Sequence, residues 1–211
     1  MINYPADDLI FESFYNDLYA RTSLGQTYNE SYHIHSLVRL TRNVLGDIAE
    51  VGVYAGGSAS IIKRYMDSDK TLYLIDTFEG IKDCGELDSV DMPTVYHIKN
   101  GEFKYDEHDK TIQALRAPNV TVIKGYFPQC VDKTFANNKF SFVHLDVDTY
   151  LSTFNCFEYF YPLMSTGGII LTHDYRNKYT IGVNKAVNEF FADKKEYIIP
   201  IGDTQAFMIK L

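Results

Sequence analysis

Two apolar runs, 140–145 and 169–172, end in groups that can move protons or hold a cation: Asp146-Val147-Asp148 after the first and His173-Asp174 after the second. Runs this apolar are expected to be buried strands, so carboxylates at their ends either find partners or bind something. Asp146, His173 and Asp174 can converge on a divalent cation or on a substrate hydroxyl. A cation there would hold an alcohol oxygen and lower its pKa, while Asp146 or His173 removes its proton. Asp148, just before a helix expected from Tyr150, reads more simply as that helix's cap.

A second constellation lies in Asp47-Ile48-Ala49-Glu50-Val51-Gly52-Val53-Tyr54-Ala55-Gly56-Gly57-Ser58, which reads as a buried strand, a glycine turn and a helix start. Gly52, Gly56 and Gly57 permit close approach of a ligand to the main chain. Ser58 is placed to cap the helix and leave its first N–H groups facing that ligand. Glu50 argues against a phosphate, and neither the Walker spacing nor a clean G-x-G-x-x-G is present. A ligand carrying positive charge fits better; S-adenosylmethionine, with its sulfonium and α-amino groups, meets that description. A tight turn that binds nothing is the alternative.

Asp76 closes the next apolar run and is followed by Thr77 and Phe78. A carboxylate there can accept from both ribose hydroxyls while the aromatic packs on an adenine. Gly125, before Tyr126 and Phe127, permits approach of a flat base, and Phe127 reads as core. His33, His35, His97, His108 and His144 show no metal-ligand spacing, so structural or solvent roles are expected for them.

The elements that must position these groups follow from hydrophobic periodicity. Helical spacing over 6–20 (Leu9, Ile10, Phe14, Leu18, Tyr19) and 31–45 predicts two helices before the glycine turn. After it come helix 58–66, strand 71–78, helix 107–116, strand 119–124, a weaker helical stretch at 129–136, strand 140–147, helix 150–163, strand 168–173 and helix 180–192. Such alternation predicts a parallel sheet with helices on both faces. Strands 196–201 and 205–211 are joined by Gly202-Asp203-Thr204, too short for a parallel crossover, so the chain should end in an antiparallel hairpin. Residues 79–106 form a polar, acidic insertion, read either as a solvated loop or as a lid or substrate wall.

Composition narrows the partners. The 211 residues suffice for one α/β domain, expected to span 1–211. A net charge of −8 opposes a nucleic-acid or anionic-membrane partner. Cys84, Cys130 and Cys156 form no C-x-x-C pair, which suggests a reducing compartment. No secretory leader or membrane-spanning run is evident, so the expected location is cytoplasmic. The 17 tyrosines are compatible with a carbohydrate site, a core or a homodimer interface, and do not discriminate among them.

Gly46 to Gly57, Ile75-Asp76-Thr77-Phe78-Glu79-Gly80, Leu145-Asp146-Val147-Asp148-Thr149-Tyr150-Leu151-Ser152-Thr153 and Gly167-Gly168 through Asp174-Tyr175 together resemble the macrocin O-methyltransferase family, in consistent order from about Arg39 to Tyr175. The resemblance implies a class I methyltransferase fold with a mostly parallel sheet of about seven strands. It also implies S-adenosylmethionine as cofactor and a sugar hydroxyl on a metabolite or glycan as acceptor. It further implies a magnesium ion held by Asp146 and by the pair at 173 and 174, with Asp146 as general base. That pair is usually two aspartates; His173 departs from the pattern, and magnesium prefers oxygen ligands. Leu151 replaces the family's glutamate.

These readings converge on an S-adenosylmethionine-dependent O-methyltransferase acting on a sugar or sugar-bearing molecule. Glu50, Gly52, Gly56, Gly57, Ser58, Asp76, Thr77, Phe78 and Gly125 are the expected cofactor residues. Asp146 and His173 are the expected catalytic groups, and Asp146, His173 and Asp174 the expected metal ligands. The alternatives are a phenolic, catechol-like O-methyltransferase, or a cofactor-binding protein without transferase activity.

Overall fold

The computed structural model describes residues 6–89, 98–131 and 135–211. Helices α1 (Ala6–Arg21) and α2 (Tyr28–Leu40) precede strand β1 (Asp47–Val51). The chain continues through α3 (Gly57–Tyr65), β2 (Leu72–Asp76), α4 (His108–Leu115), β3 (Val120–Lys124), β4 (Phe140–Leu145), α5 (Tyr150–Phe160) and β5 (Met164–Thr172). Helix α6 (Ile181–Phe190) and strands β6 (Ile199–Ile201) and β7 (Gln205–Ile209) complete it. The seven strands lie in the order β3-β2-β1-β4-β5-β7-β6. The first five are mutually parallel, and β7 runs antiparallel between β5 and β6, as the short Gly202-Asp203-Thr204 connection requires.

Side chains alternate between two cores along the strands. Ile48, Leu72, Leu74 and Phe142 face α1, α2, α3 and α4, while Ala49, Val51, Ile75 and Val143 face α5 and α6. Burial on both faces explains why β1, β2 and β4 read as nearly continuous apolar runs. Strand order reverses between β1 and β4. The carboxyl ends of these neighbours therefore open a crevice, the position where open α/β sheets bind ligands.

Several elements differ from the periodicity. In α1 the buried stripe is Phe11, Tyr15 and Leu18, while Leu9, Ile10 and Tyr19 are exposed, because Phe11 stacks on His35 of α2 at 4.7 Å. Helix α2 stops at Leu40, and Gly46 has a φ of +117° just before β1. Strand β2 ends at Asp76 and β4 at Leu145, so Thr77, Phe78 and Asp146 to Asp148 lie in loops. Strand β5 begins at Met164 and absorbs Gly167-Gly168 in a bulge opposite Phe140 to Phe142. The described part of 129–136 forms turns rather than a helix. Of the insertion, Asp91 and His97 lie outside the described residues.

Candidate active site

The glycine turn is held from two sides. Gly52 has a φ of +89°, and a Cβ there would lie 1.8 Å from the Asp146 carbonyl oxygen, so this position must be glycine for β1 and β4 to meet. Beyond it, the Val53 and Tyr54 N–H groups donate to Asp76 Oδ2 at 2.6 and 2.8 Å, and the Phe78 N–H donates to Oδ1 at 2.6 Å. Asp76 thus braces the turn and shapes the wall next to it.

Six of the nine expected cofactor residues line one cavity of about 690 Å³: Gly52, Gly57, Ser58, Asp76, Thr77 and Gly125. Three do not reach it. Glu50 is fully buried beneath the turn, its Oε1 2.8 Å from His144 Nδ1, and burial pushes its carboxyl up. Gly56 faces α4, where a Cβ would meet Thr111 at 2.5 Å. Phe78 is buried and stacks on His108 with centroids 5.2 Å apart. Gly56, in left-handed conformation, occupies the cap position of α3. Ser58 therefore lies inside the first turn of the helix instead of capping it.

The acidic end of the same cavity brings Asp146, His173 and Asp174 together, with one ligand atom of each within 4.8 Å of the others. His173 Nδ1 lies 3.3 Å from Asp146 Oδ1 and 3.6 Å from Asp174 Oδ2, while its Nε2 lies 3.3 Å from Glu30 Oε1. Burial alone would lower the His173 pKa, but Asp146 and the other carboxylates raise it well above the ordinary value. The carboxylates on both ring nitrogens thus favour the protonated form of His173. Burial would raise Asp146; the His173 charge outweighs it and holds the carboxyl below its usual range. Gln26 Nε2 donates to Asp146 Oδ2 at 2.9 Å.

Asp148 is not the cap of α5. Thr149 is, accepting from the Ser152 N–H, while Asp148 takes a φ of +64° and turns into the cavity. There burial, followed by the charges of Asp174 and Asp146, raises its pKa well above the ordinary carboxyl value. Sequence patterning also passed over Gln26, in the α1–α2 connection, and Glu30, in the first turn of α2. A capping-box signature, Thr27 with Glu30, marks that helix start, but nothing local shows that it faces β5.

The insertion is anchored where it is described. Asp83 accepts from the Tyr126 and Thr149 hydroxyls at 2.9 Å and from the Ser152 hydroxyl at 2.6 Å. Asp88 accepts from the Tyr150 N–H at 2.6 Å, filling an open donor in the first turn of α5. Residues 79–89 are therefore tied to the β3 and α5 ends by half-buried Asp83 and buried Asp88.

The cavity's charge tests what it can hold. Glu30, Asp76, Asp83, Asp146, Asp148 and Asp174 line it, against Lys82 and His173. Six acidic side chains facing a single volume, Asp148 held towards its neutral form by its neighbours, favour a cationic ligand and oppose a phosphate. The sulfonium and ammonium of S-adenosylmethionine fit this lining, and the volume falls within the usual range for small-molecule sites. For a divalent cation Asp146, His173 and Asp174 are the three residues whose ligand atoms converge, and of these the carboxylate oxygens are the donors magnesium prefers.

The chain matches the family model for macrocin O-methyltransferase over residues 20–207 and belongs to that family. It is 28% identical over 142 residues to demethyldecarbamoylnovobiocin O-methyltransferase of Streptomyces niveus, covering 63% of this chain and 54% of that protein. It is 26% identical over 169 residues to mycinamicin III 3''-O-methyltransferase of Micromonospora griseorubida, covering 74% and 65%. The chain thus spans between about half and two thirds of these relatives. Among solved structures, the O-methyltransferase NovP superposes with a TM-score of 0.71 at 23% identity, over 96% of this chain and 97% of that one. Calicheamicin methyltransferase CalS11 superposes at 0.73 and 17% identity, over 99% and 94%. At these identities the likeness establishes the class I methyltransferase fold. No helix among the described residues is long and apolar enough to cross a membrane.

Proposed function

We propose that this protein is an S-adenosylmethionine-dependent O-methyltransferase that methylates a hydroxyl of a sugar or sugar-bearing metabolite. The observation that carries the reading is the joining of two half-sites in one acidic cavity: the braced turn with Asp76 at one end, and Asp146 with Asp174 at the other. Family membership and relatives named for methylating novobiocin-type and mycinamicin substrates support it.

In this reading the Gly52–Ser58 turn receives the methionine end and Asp76 with Thr77 the ribose. Bound there, S-adenosylmethionine would supply an electrophilic methyl group. Asp146, oriented by Gln26 and His173, accepts the acceptor's hydroxyl proton. A carboxylate with a depressed pKa is a weak base, yet it suffices here. As the oxygen forms its bond to carbon, its proton becomes strongly acidic, so transfer to Asp146 occurs late in the reaction coordinate. A divalent cation would be held by Asp146 and Asp174 with Asp148 alongside, and would acidify the hydroxyl. His173 is a positioning and charge-balancing group rather than the base.

Methyl transfer from labelled cofactor to a panel of glycosides tests this. Wild-type protein is expected to label at least one sugar hydroxyl and Asp146→Asn none, with magnesium and chelator as parallel arms. Labelling of phenols alone would select the phenolic alternative, and equal activity of Asp146→Asn would remove Asp146 from the chemistry.

A further inference from the structure

Glu30 divides its two carboxylate oxygens between two tasks. Oε2 accepts from the Thr27 N–H at 2.7 Å and from the Thr27 hydroxyl at 2.8 Å, closing the capping box that starts α2. Oε1 faces the other way: it accepts from the hydroxyl of Thr204, in the turn between β6 and β7, and lies 3.3 Å from His173 Nε2. Capping needs only the first oxygen. The side chains of His173 and Glu30 are 12% and 14% exposed, so the attraction across the second contact is little screened by water.

We propose that Glu30 is a positioning residue for methyl transfer: it holds the His173 ring against Asp146 from the far side, while the β6–β7 turn holds Glu30. The inference rests on the methyltransferase reading above and names a residue that acts through another. His173 Nδ1 meets Asp146 Oδ1 at 3.3 Å and Asp174 Oδ2 at 3.6 Å. Its Nε2 has no aligned hydrogen bond among the described residues, so the polar hold on that side of the ring is the Glu30 contact. The imidazole torsion is intrinsically broad, and a ring drawn from both sides is confined within it. Asp146 is thereby fixed at both oxygens, by Gln26 at Oδ2 and by His173 at Oδ1 with Glu30 behind it.

The hold on Glu30 comes from the other end of the chain. Buried Gln205, at the start of β7, donates through Nε2 to the Glu30 carbonyl at 3.5 Å, and its Oε1 lies 2.8 Å from His33 Nδ1. β7 thus grips α2 at Glu30 and again one turn further on. With the Thr204 hydroxyl on Oε1, these contacts join segments 172 to 175 positions apart. A residue that only capped its own helix would require none of them. Thr204, Glu30, His173 and Asp146 instead form a continuous polar chain from the terminal hairpin to the candidate base.

The test uses Glu30→Gln in the full chain. Glutamine also closes a capping box, so α2 keeps its start while the charge facing His173 is lost. With the most active glycoside of the panel above, kcat should fall about tenfold while cofactor affinity stays within about twofold, because a displaced reacting group lowers turnover rather than binding. In a double-mutant cycle with His173→Asn the two losses should not multiply, since Glu30 acts through the ring. A crystal structure of Glu30→Gln should show the ring turned out of contact with Asp146. Thr204→Val removes one donor from Oε1 and should lower kcat by about threefold, which keeps the test open should Glu30→Gln fail to fold. Unchanged kcat in the folded variants, an equal loss of cofactor affinity, multiplying losses in the cycle, or a ring still seated on Asp146 would overturn the proposal. A displaced ring in the variant of a protein whose wild type transfers no methyl would instead count against the transferase reading and leave the hold of Glu30 on His173 standing.

Discussion

Gln26 Nε2 donates to Asp146 Oδ2 at 2.9 Å, joining residues 120 positions apart and tying the α1–α2 connection to the carboxylate at the end of β4. The N-terminal helices therefore do more than cover the sheet. They deliver Gln26 to Asp146 and Glu30 to His173, one on each side of the Asp146–His173 contact.

Gln26→Leu removes that bond without creating a large void. A hydrogen bond to a charged group contributes about 1.5–3 kcal/mol, so turnover should fall about tenfold or more while cofactor affinity stays within about twofold. Parallel steady-state kinetics and calorimetry check the split. A matching loss of cofactor affinity would mean that Gln26 serves the cofactor end.

Asp83 gathers three hydroxyl donors, and its loss should release the insertion wall. Asp83→Ala leaves Tyr126, Thr149 and Ser152 without their shared acceptor and should cost about 2 kcal/mol of stability. Amide exchange in residues 79–89 should accelerate relative to the β1–β4 core. Unchanged exchange there would show that Asp88, through its bond to the Tyr150 N–H, holds the wall alone.

The glycines divide sharply. Gly52→Ala forces a Cβ to 1.8 Å from the Asp146 carbonyl at a φ of +89°, and should destabilise the fold by about 3 kcal/mol or more. Gly85 has nothing within 4 Å of the added carbon and a negative φ, so Gly85→Ala should be nearly neutral. Thermal unfolding of the two variants gives the comparison directly.

Glu196 supplies a pH dependence remote from the site. Burial would raise its pKa, but Lys210 at 2.7 Å and the Tyr161 hydroxyl at 2.6 Å outweigh this and hold it at about 2, against an ordinary 4.5. A depressed folded pKa stabilises above the unfolded value and loses that contribution as pH falls from about 4.5 towards 2. Glu196→Gln should therefore lower stability by about 2 kcal/mol at neutral pH and flatten the acid limb of the stability curve. Urea melts of both proteins between pH 7 and 3 check it; parallel curves would contradict the assigned shift.

The sheet was legible because burial on both faces writes itself as nearly continuous apolar runs in β1, β2 and β4, the first bounded by Gly46 and Gly52, and because three residues cannot carry a parallel crossover between β6 and β7. Asp146, His173 and Asp174 were legible from their places at strand ends. Asp148 was not, since a carboxylate ahead of a helix looks like a cap until its left-handed φ and the competing cap at Thr149 are seen. Glu50 looked like a ligand contact because composition does not show that His144, on the adjacent strand, buries with it. Gln26, Glu30 and Asp83 reach the site only through tertiary packing, which leaves no local pattern. Phe11 likewise replaced Leu9 and Ile10 on the buried face of α1 because its partner ring, His35, lies on another helix.

The most direct test of the account is calorimetric titration with S-adenosylmethionine and its demethylated product against wild type, Asp146→Asn and Asp76→Ala, with circular dichroism confirming that each variant is folded. The account predicts micromolar binding that persists in Asp146→Asn and is lost in folded Asp76→Ala. Absence of binding by the wild type, or equal loss in both variants, would contradict the assignment of the braced turn to the cofactor and of the acidic end to proton removal.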